Sequence, residues 1–431
     1  MAYANWQENL GNPAWFLHDR FGLFMHFGLY SLAARHEWLM TTEQITPEDY
    51  KRYFEHFNPE LMDMKKMART AKDAGTKYAV LTTKHHEGFA LWDTKQSDYK
   101  ITNTPFKRDL VKEYVQAFRN EGIKIGFYHS VIDWHHPDFV IDGLHPQRDD
   151  KEARNKNAQR DMSRYTDYLK KQVTELLTEY GKIDYLWFDF SYPHRDWGWS
   201  KGKGHQDWDS EALFDLAVEL QPEILINDRL DLNKGVITPE QYQPDAPLEK
   251  EGLPVIWEAC HAMKPTWGYD RDSNEWRSSD VLLKMLIDTV SNNGNFLLNV
   301  GPNGKGELDR RESDRLADIG EWMRLNGKSI YGAGQSSYLA PKDCRYTQVG
   351  QNRIYLHIYS WPLRHIHLKG LAGKVDYVQF LHDHSEIYFR EFDPEEVITS
   401  TETIIDIKNV LLELPVEKPD VLVPVVEIFL K

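Results

Sequence analysis

The feature that most limits what this chain can fold into is a series of short, nearly continuous apolar runs. Each is followed by an amphipathic helical stretch, and the pattern repeats from the start to about residue 330. The runs are Gly22–Gly28, Tyr78–Thr83, Lys124–Ser130, Asp184–Phe190, Glu223–Asp228, Val255–Cys260 and Asn295–Val300. None alternates strictly between apolar and polar residues, which is how parallel strands covered on both faces read. Between them, Leu61–Ala74 ends at Gly75, Leu110–Asn120 stops just before Gly122, and Met162–Tyr180 ends at Gly181. Each glycine falls where a left-handed helix cap is wanted. Ser279 and Asp280 open Val281–Ser291, and Arg310–Leu325 closes the series. Such alternation at this length predicts an α/β fold, a (β/α)8-like (TIM-type) barrel with seven legible strands and an irregular or unmarked eighth.

After about Gly334 the texture changes. Arg353–Tyr359, His365–Leu368, Val375–Leu381, Ile387–Phe389, Ile404–Leu414 and Leu422–Leu430 are short and strand-like, with turns between them and no long helical period. The expected organisation is therefore a barrel domain over residues 1–334 and a C-terminal antiparallel β-sandwich domain over 335–431.

Bulk properties exclude several functions. The net charge of −15 argues against nucleic-acid binding, because an acidic surface does not seek phosphate. No apolar run reaches the ~18 residues of a membrane span. No basic segment followed by an apolar stretch opens the chain, so a cytoplasmic protein is expected, or a periplasmic or secreted one whose leader has been removed. The two cysteines, Cys260 and Cys344, make neither a disulfide framework nor a zinc spacing and are expected as buried thiols. Aromatic residues reach 13%, which suits a well-filled core and equally suits a sugar site, since indole and phenol rings offer flat apolar faces with one polar handle.

The chemistry collects at the ends of the apolar runs. The first carries His26, and the second leads into Lys84-His85-His86-Glu87-Gly88. The third carries Tyr128 and His129, with Asp133-Trp134 following, and the fourth carries Asp189. The others carry Asn227-Asp228-Arg229, Glu258 and Asn299. In a barrel these ends converge on one mouth, where active sites form. One polar residue there means little, but so many hydrogen-bonding groups are hard to explain as core packing. His85 and His86 are adjacent, so on a strand they point to opposite sides and read as donors to hydroxyls rather than as two ligands of one metal. Gly301–Gly306 lacks the phosphate-loop pattern and reads as a strand-to-helix turn.

Asp189 sits within Trp187-Phe188-Asp189-Phe190. A carboxylate among aromatics is either paired with a nearby Arg or Lys or is a nucleophile or base at the barrel mouth. Glycoside hydrolysis needs two carboxyls flanking the scissile bond. Asp189 is the natural attacker, and Glu37, Glu240 and Glu258 remain open as the acid.

An ordered set of segments resembles glycoside hydrolase family 29, the α-L-fucosidases. It runs from Phe21-Gly22-Leu23-Phe24-Met25-His26-Phe27-Gly28 and His36-Glu37-Trp38 through Lys84-His85-His86-Glu87-Gly88-Phe89 and Gly126-Phe127-Tyr128-His129-Ser130. It continues with Leu186-Trp187-Phe188-Asp189, Asn227-Asp228-Arg229, Thr238-Pro239-Glu240, Trp257-Glu258, Trp267-Gly268-Tyr269 and Asn299-Val300-Gly301-Pro302. The resemblance covers roughly residues 6 to 332. It implies a retaining exo-acting α-L-fucosidase with Asp189 as nucleophile and Glu240 as acid/base, Glu37 being the contender in some members. It also implies that His26, Glu37, Trp38, His85, His86, Tyr128, Trp187 and Arg229 bind the fucose ring and that Trp267 packs near its methyl. Glu258 is added to this binding set from its strand-end position. The chain departs from the family at Leu39-Met40, His129 and Phe190, all expected at the pocket rim.

The implied partner is a fucosylated glycan, and the chemistry requires no metal or organic cofactor. Roles open to the C-terminal domain are buttressing the barrel, which is the default, weak glycan binding, and assembly of a homo-oligomer. The competing readings are a barrel glycosidase acting on a related sugar such as galactose and a fucose-binding lectin-like protein on an inactive scaffold. The retained carboxylates speak against the second.

Overall fold

The computed structural model describes residues 2–6, 10–392 and 406–431. Seven parallel strands form one sheet: β1 (Phe21–Met25), β2 (Tyr78–Lys84), β3 (Lys124–Ser130), β4 (Tyr185–Asp189), β5 (Leu225–Ile226), β6 (Glu258–Ala262) and β7 (Asn295–Val300). Their order is β5-β4-β3-β2-β1-β7-β6. The two edges, β5 and β6, are joined by an irregular eighth stave at residues 236–240. Val236 N–H donates to Ile226 O at 2.9 Å on one side, and Ile237 N–H donates to Ile256 O at 3.0 Å on the other. Cys260 N–H donates to Pro239 O at 3.1 Å, so the ring closes where proline denies the stave a regular ladder. A stave of two apolar residues ending in Thr-Pro-Glu carries no strand signal, which is why the sequence hides it.

Residues of the barrel strands are buried on both faces. Along them Phe24, Val80, Tyr128, Trp187, Cys260 and Leu297 turn into the barrel. Their neighbours Leu23, Leu81, Phe127, Leu186 and Leu298 turn out against the helices. This period of two within a continuous apolar run is the signature of a covered parallel strand. The helices begin as their caps dictate. Asp63, Asp109, Asp161 and Asp309 each accept a backbone N–H from the first turn of Met64–Asp73, Leu110–Asn120, Met162–Glu179 and Arg310–Asn326. Gly75, Gly122 and Gly181 follow three helix ends at φ 91, 77 and 74°, a region that side chains with a Cβ avoid.

After Gly334 the described residues hold seven antiparallel strands: β8 (Cys344–Val349), β9 (Arg353–Ile358), β10 (His365–Leu368), β11 (Val375–Phe380), β12 (Tyr388–Glu391), β13 (Val410–Glu413) and β14 (Val425–Leu430). They form a four-stranded sheet, β8-β9-β14-β11, and a three-stranded sheet, β10-β13-β12. Ile354, Leu356, Leu368, Val378, Leu412 and Ile428 fill their shared core. The expected strand Ile404–Leu414 is present from Val410, while residues 404 and 405 lie outside the described residues. β8 was not legible, its Cys344-Arg-Tyr-Thr-Gln-Val having no clean alternation. This region docks on the barrel helices. Trp322 Nε1 donates to Val423 O at 2.7 Å, and Asp288 receives both Arg345, at 2.7 Å, and the Tyr359 hydroxyl, at 2.9 Å.

One carboxyl is sealed inside the barrel. Glu258 has no exposure and is held by the hydroxyls of Tyr78 and Tyr185 and by Trp187 Nε1, the last two at 3.2 Å. Burial pushes its carboxyl up to about 7, against the three donors that favour the anion. A raised folded-state value means the folded protein holds this proton more tightly than the unfolded chain does. Its contribution to stability is therefore full below the ordinary glutamate range and is lost as pH rises toward 7. Thermal melts of Glu258→Gln from pH 4.5 to 8 are expected to fall less with rising pH than those of the unaltered protein. Parallel curves would show that this carboxyl does not titrate in that window.

Candidate active site

The C-terminal ends of the strands open on one cavity, with about 380 Å3 of free space. Phe24, His26, Trp38, His85, Tyr128, Trp187, Asp189, Phe190, Glu240, Cys260 and Trp267 line it.

Asp189 ends β4 on the cavity floor, its side chain 12% exposed, while Glu240 ends the eighth stave at the rim, 39% exposed. Arg229 connects them. Its Nη1 lies 3.2 Å from Asp189 Oδ1 and 2.9 Å from Glu240 Oε2. The rest of the guanidinium is pinned by Thr238, whose Oγ1 accepts from Nε at 2.8 Å and whose carbonyl accepts from Nη2 at 3.0 Å. Thr238 in turn donates to Asp228 Oδ1 at 2.7 Å. The Trp187 ring lies beneath the guanidinium, 4.9 Å away. One oxygen of each carboxylate reaches the same nitrogen, so those two oxygens lie no more than about 6 Å apart, which is compatible with the retaining separation of about 5–5.5 Å.

Asp189 Oδ2 accepts from the Tyr128 hydroxyl at 2.9 Å and stands 3.8 Å from His86 Nε2. Burial raises the Asp189 carboxyl above the ordinary aspartate range. Arg229 opposes that, Glu240 adds to it, and the Tyr128 hydrogen bond again favours the anion.

The histidines are neutral donors and acceptors. Burial lowers His26 and His86 to about 3 and drives His85 down as well. Asn299 sets the His26 tautomer. Its Nδ2 donates to Trp267 O at 2.7 Å, so its Oδ1 accepts from His26 Nδ1, also at 2.7 Å, and leaves His26 Nε2 as an acceptor. His85 Nδ1 is buried without a partner among the described residues and is available to a hydroxyl. The aromatic wall is rigid. Tyr128 stacks between His85 and Trp187, with centroids 5.6 and 5.8 Å away, and Trp267 stacks on His26 at 5.2 Å. The edge of Trp38 meets His86 and Phe190.

Most of the residues singled out from the sequence thus meet here. Asp189, Glu240, His26, Trp38, His85, Tyr128, Trp187 and Trp267 line the cavity, and Arg229 and His86 touch Asp189. One does not reach it. Glu258 opens β6 instead of ending it and points into the sealed barrel interior, where it braces Trp187; it is not a sugar ligand in this geometry. Glu37 is buried beside the wall, its Oε2 accepting the backbone N–H groups of Trp267 and Gly268 at 3.1 and 2.9 Å. Of the departures expected at the rim, only Phe190 is there. Leu39 and Met40 are core residues, and His129 turns outward to Thr83, Nδ1 to Oγ1 at 2.9 Å. The sequence reading missed Phe24 and Cys260 in the wall. The period of two from His26 and from Glu258 would have found both.

Comparison with known proteins shows the family. The profile of the family described as Alpha-L-fucosidase matches residues 3–328. The chain belongs to the α-L-fucosidase family. It is 30% identical over 372 residues to the tissue alpha-L-fucosidase of Bos taurus, covering 81% of this chain and 75% of that one. Among solved structures, alpha-L-fucosidase isoenzyme 1 from Paenibacillus thiaminolyticus superposes with a TM-score of 0.89 at 42% identity, covering 97% of this chain and 98% of that one. A GH29 alpha-L-fucosidase from Bacteroides thetaiotaomicron, trapped as a covalent intermediate with 2-fluoro-fucosyl fluoride, superposes at 0.82 with 26% identity, covering the whole of both chains. The neighbours share a TIM-like barrel with a β domain, as this fucosidase does.

Glu37 in this fucosidase holds the loop that carries Trp267. Glu37→Ala leaves two buried backbone N–H groups without an acceptor, which costs about 1–3 kcal/mol of stability for each. It is expected to raise KM for fucosides while leaving the ratio of rates on good and poor leaving groups as it was. A selective loss on poor leaving groups, read from steady-state kinetics, would move the acid role to Glu37.

Proposed function

We propose that Asp189 is the nucleophile and Glu240 the acid/base of this enzyme. The chain is a retaining α-L-fucosidase, a glycoside hydrolase that acts on terminal α-L-fucosyl linkages of glycans through a covalent fucosyl–enzyme intermediate. The observation that carries the residue assignment is the pair of carboxylates brought to one guanidinium nitrogen, with one at the cavity floor and the other at the rim.

Asp189 is fixed by a strand end, by Tyr128 and by Arg229, and is placed to attack the anomeric carbon as it is bound. Arg229 favours the anionic form of the attacking carboxyl against the burial that raises it. Glu240, open to solvent, gives its proton to the glycosidic oxygen as the C1–O bond breaks and the ester to Asp189 forms. In the second half, the Glu240 carboxylate takes a proton from water, the water oxygen bonds to C1, and the ester breaks to return Asp189 as a carboxylate. His26, His85 and His86, being neutral, exchange hydrogen bonds with the ring hydroxyls without competing for the Asp189 charge. Trp267 and Phe24 offer apolar faces to the fucose methyl. Residues 1–334 supply this whole site, and we assign the region 335–431 the role of buttress, from its packing against the barrel helices.

Asp189→Asn is expected to lower kcat by several orders of magnitude with an unchanged thermal midpoint; activity near that of the unaltered enzyme would end the assignment. Glu240→Ala should slow aryl fucosides with poor leaving groups by about 10²–10⁴-fold and good ones far less. Its loss should be partly restored by azide, with fucosyl azide as product.

A further inference from the structure

Ser130 is the last residue of β3 and is fully buried. It lies beside Asp189, its partner in register on β4. It follows the outward-facing His129, so its side chain turns inward as that of Tyr128 does. Its hydroxyl meets three groups. Ile132 N–H donates to Oγ at 3.0 Å, Oγ lies 2.9 Å from Ile132 O, and His86 Nδ1 lies 2.6 Å from Oγ. A hydroxyl has one proton to give. Ile132 is buried, and no other donor reaches its carbonyl among the described residues. A carbonyl only accepts, and a buried one needs its donor, so the serine proton goes there. Toward His86 the hydroxyl can then only accept, and the proton between them belongs to the imidazole.

We infer that Ser130 is a positioning residue that fixes His86 with its proton on Nδ1, so that Nε2 meets the sugar as an acceptor. Its consequence for catalysis rests on the reading of Asp189 as nucleophile. Burial lowers His86 to about 3, so the neutral ring carries a single proton, and Nδ1 holds it. Trp38, Trp134 and Phe190 pack around the ring, with centroids 4.8, 5.5 and 5.6 Å away, and fix which nitrogen faces Ser130. The bare Nε2 stands 3.8 Å from Asp189 Oδ2, beyond hydrogen-bond reach. Two acceptors thus face each other beside the cavity floor. A ring hydroxyl that enters between them must donate its proton. The other tautomer would aim an N–H at Asp189 and draw charge from the attacking carboxylate.

The test reads the tautomer directly, by two-bond proton–nitrogen NMR correlation of enzyme carrying isotopically labelled histidine. The His86 signals are those lost in His86→Gln. In the unaltered enzyme they should show a protonated Nδ1 and a bare Nε2. Ser130→Ala should move the proton to Nε2, or divide it between the nitrogens, and lower kcat/KM on an aryl fucoside about tenfold. Ser130→Cys keeps the size with a poor acceptor and should fall with the alanine variant; it carries the same reading if that variant folds poorly. Ser130→Thr keeps the hydroxyl and should retain the Nδ1 proton and most of the activity. A role in packing alone would reverse that order, with cysteine close to serine and threonine worse. A proton on Nε2 in the unaltered enzyme overturns the proposal. So does an unmoved proton in Ser130→Ala, or a moved one with undiminished kcat/KM. The NMR result does not depend on which carboxylate attacks. An active Asp189→Asn would remove the nucleophile assignment and leave the tautomer standing, so the two failures are distinct.

Discussion

Nη1 of Arg229 stands between two carboxylates, one at the cavity floor and one open at the rim. That cation favours the charged form of the floor carboxylate among Trp187, Phe190 and Tyr128, where burial favours the protonated one. The cation could not hold its position if its fork were free, and Thr238, on the stave that closes the barrel, accepts from it twice. The stave that completes the sheet thus also sets the distance between the reacting groups. It ends in Glu240, so the proposed acid and the anchor of the cation lie on one stave.

Around this pair the barrel separates rigidity from access. Groups that must not move lie on strands or are braced by them. Asp189 ends β4, Tyr128 lies on β3, and Trp187 is held from below by Glu258. Groups that admit substrate lie on loops, yet these loops are tethered at single points. Glu37 ties the Trp267 backbone, and Asn299 joins the same loop to His26. The buried carboxylates Glu37 and Glu258 thus brace Trp267 and Trp187 through hydrogen bonds.

Much of this was legible in the sequence because parallel strands covered on both faces leave continuous apolar runs, and because a barrel brings the ends of such runs together. Asp189, Tyr128 and Arg229 were found by that logic alone. The eighth stave was not, since Val236-Ile237-Thr238-Pro239-Glu240 is too short and too broken by proline to carry a period. Glu258 was placed at the wrong end of its strand because Val255–Trp257 reads as apolar strand although β6 starts at Glu258. His129 was expected at the rim because it departs from the family's pattern next to the site, but adjacent strand residues face opposite ways and it turns outward. The family resemblance chose Glu240 over Glu37 and Glu258. Spacing could not, because which carboxyl meets Arg229 depends on how the chain returns across the barrel mouth.

The most direct test of the Asp189 assignment is to identify the residue that becomes esterified. Glu240→Gln incubated with 2-fluoro-α-L-fucosyl fluoride should form an intermediate that persists, because neither proton transfer nor water activation is available to release it. Peptide mass mapping should then find one fluorofucosyl group, on the peptide containing Asp189 and on that side chain. A label on any other carboxylate, or release of fluoride with no label on the protein, would contradict the assignment.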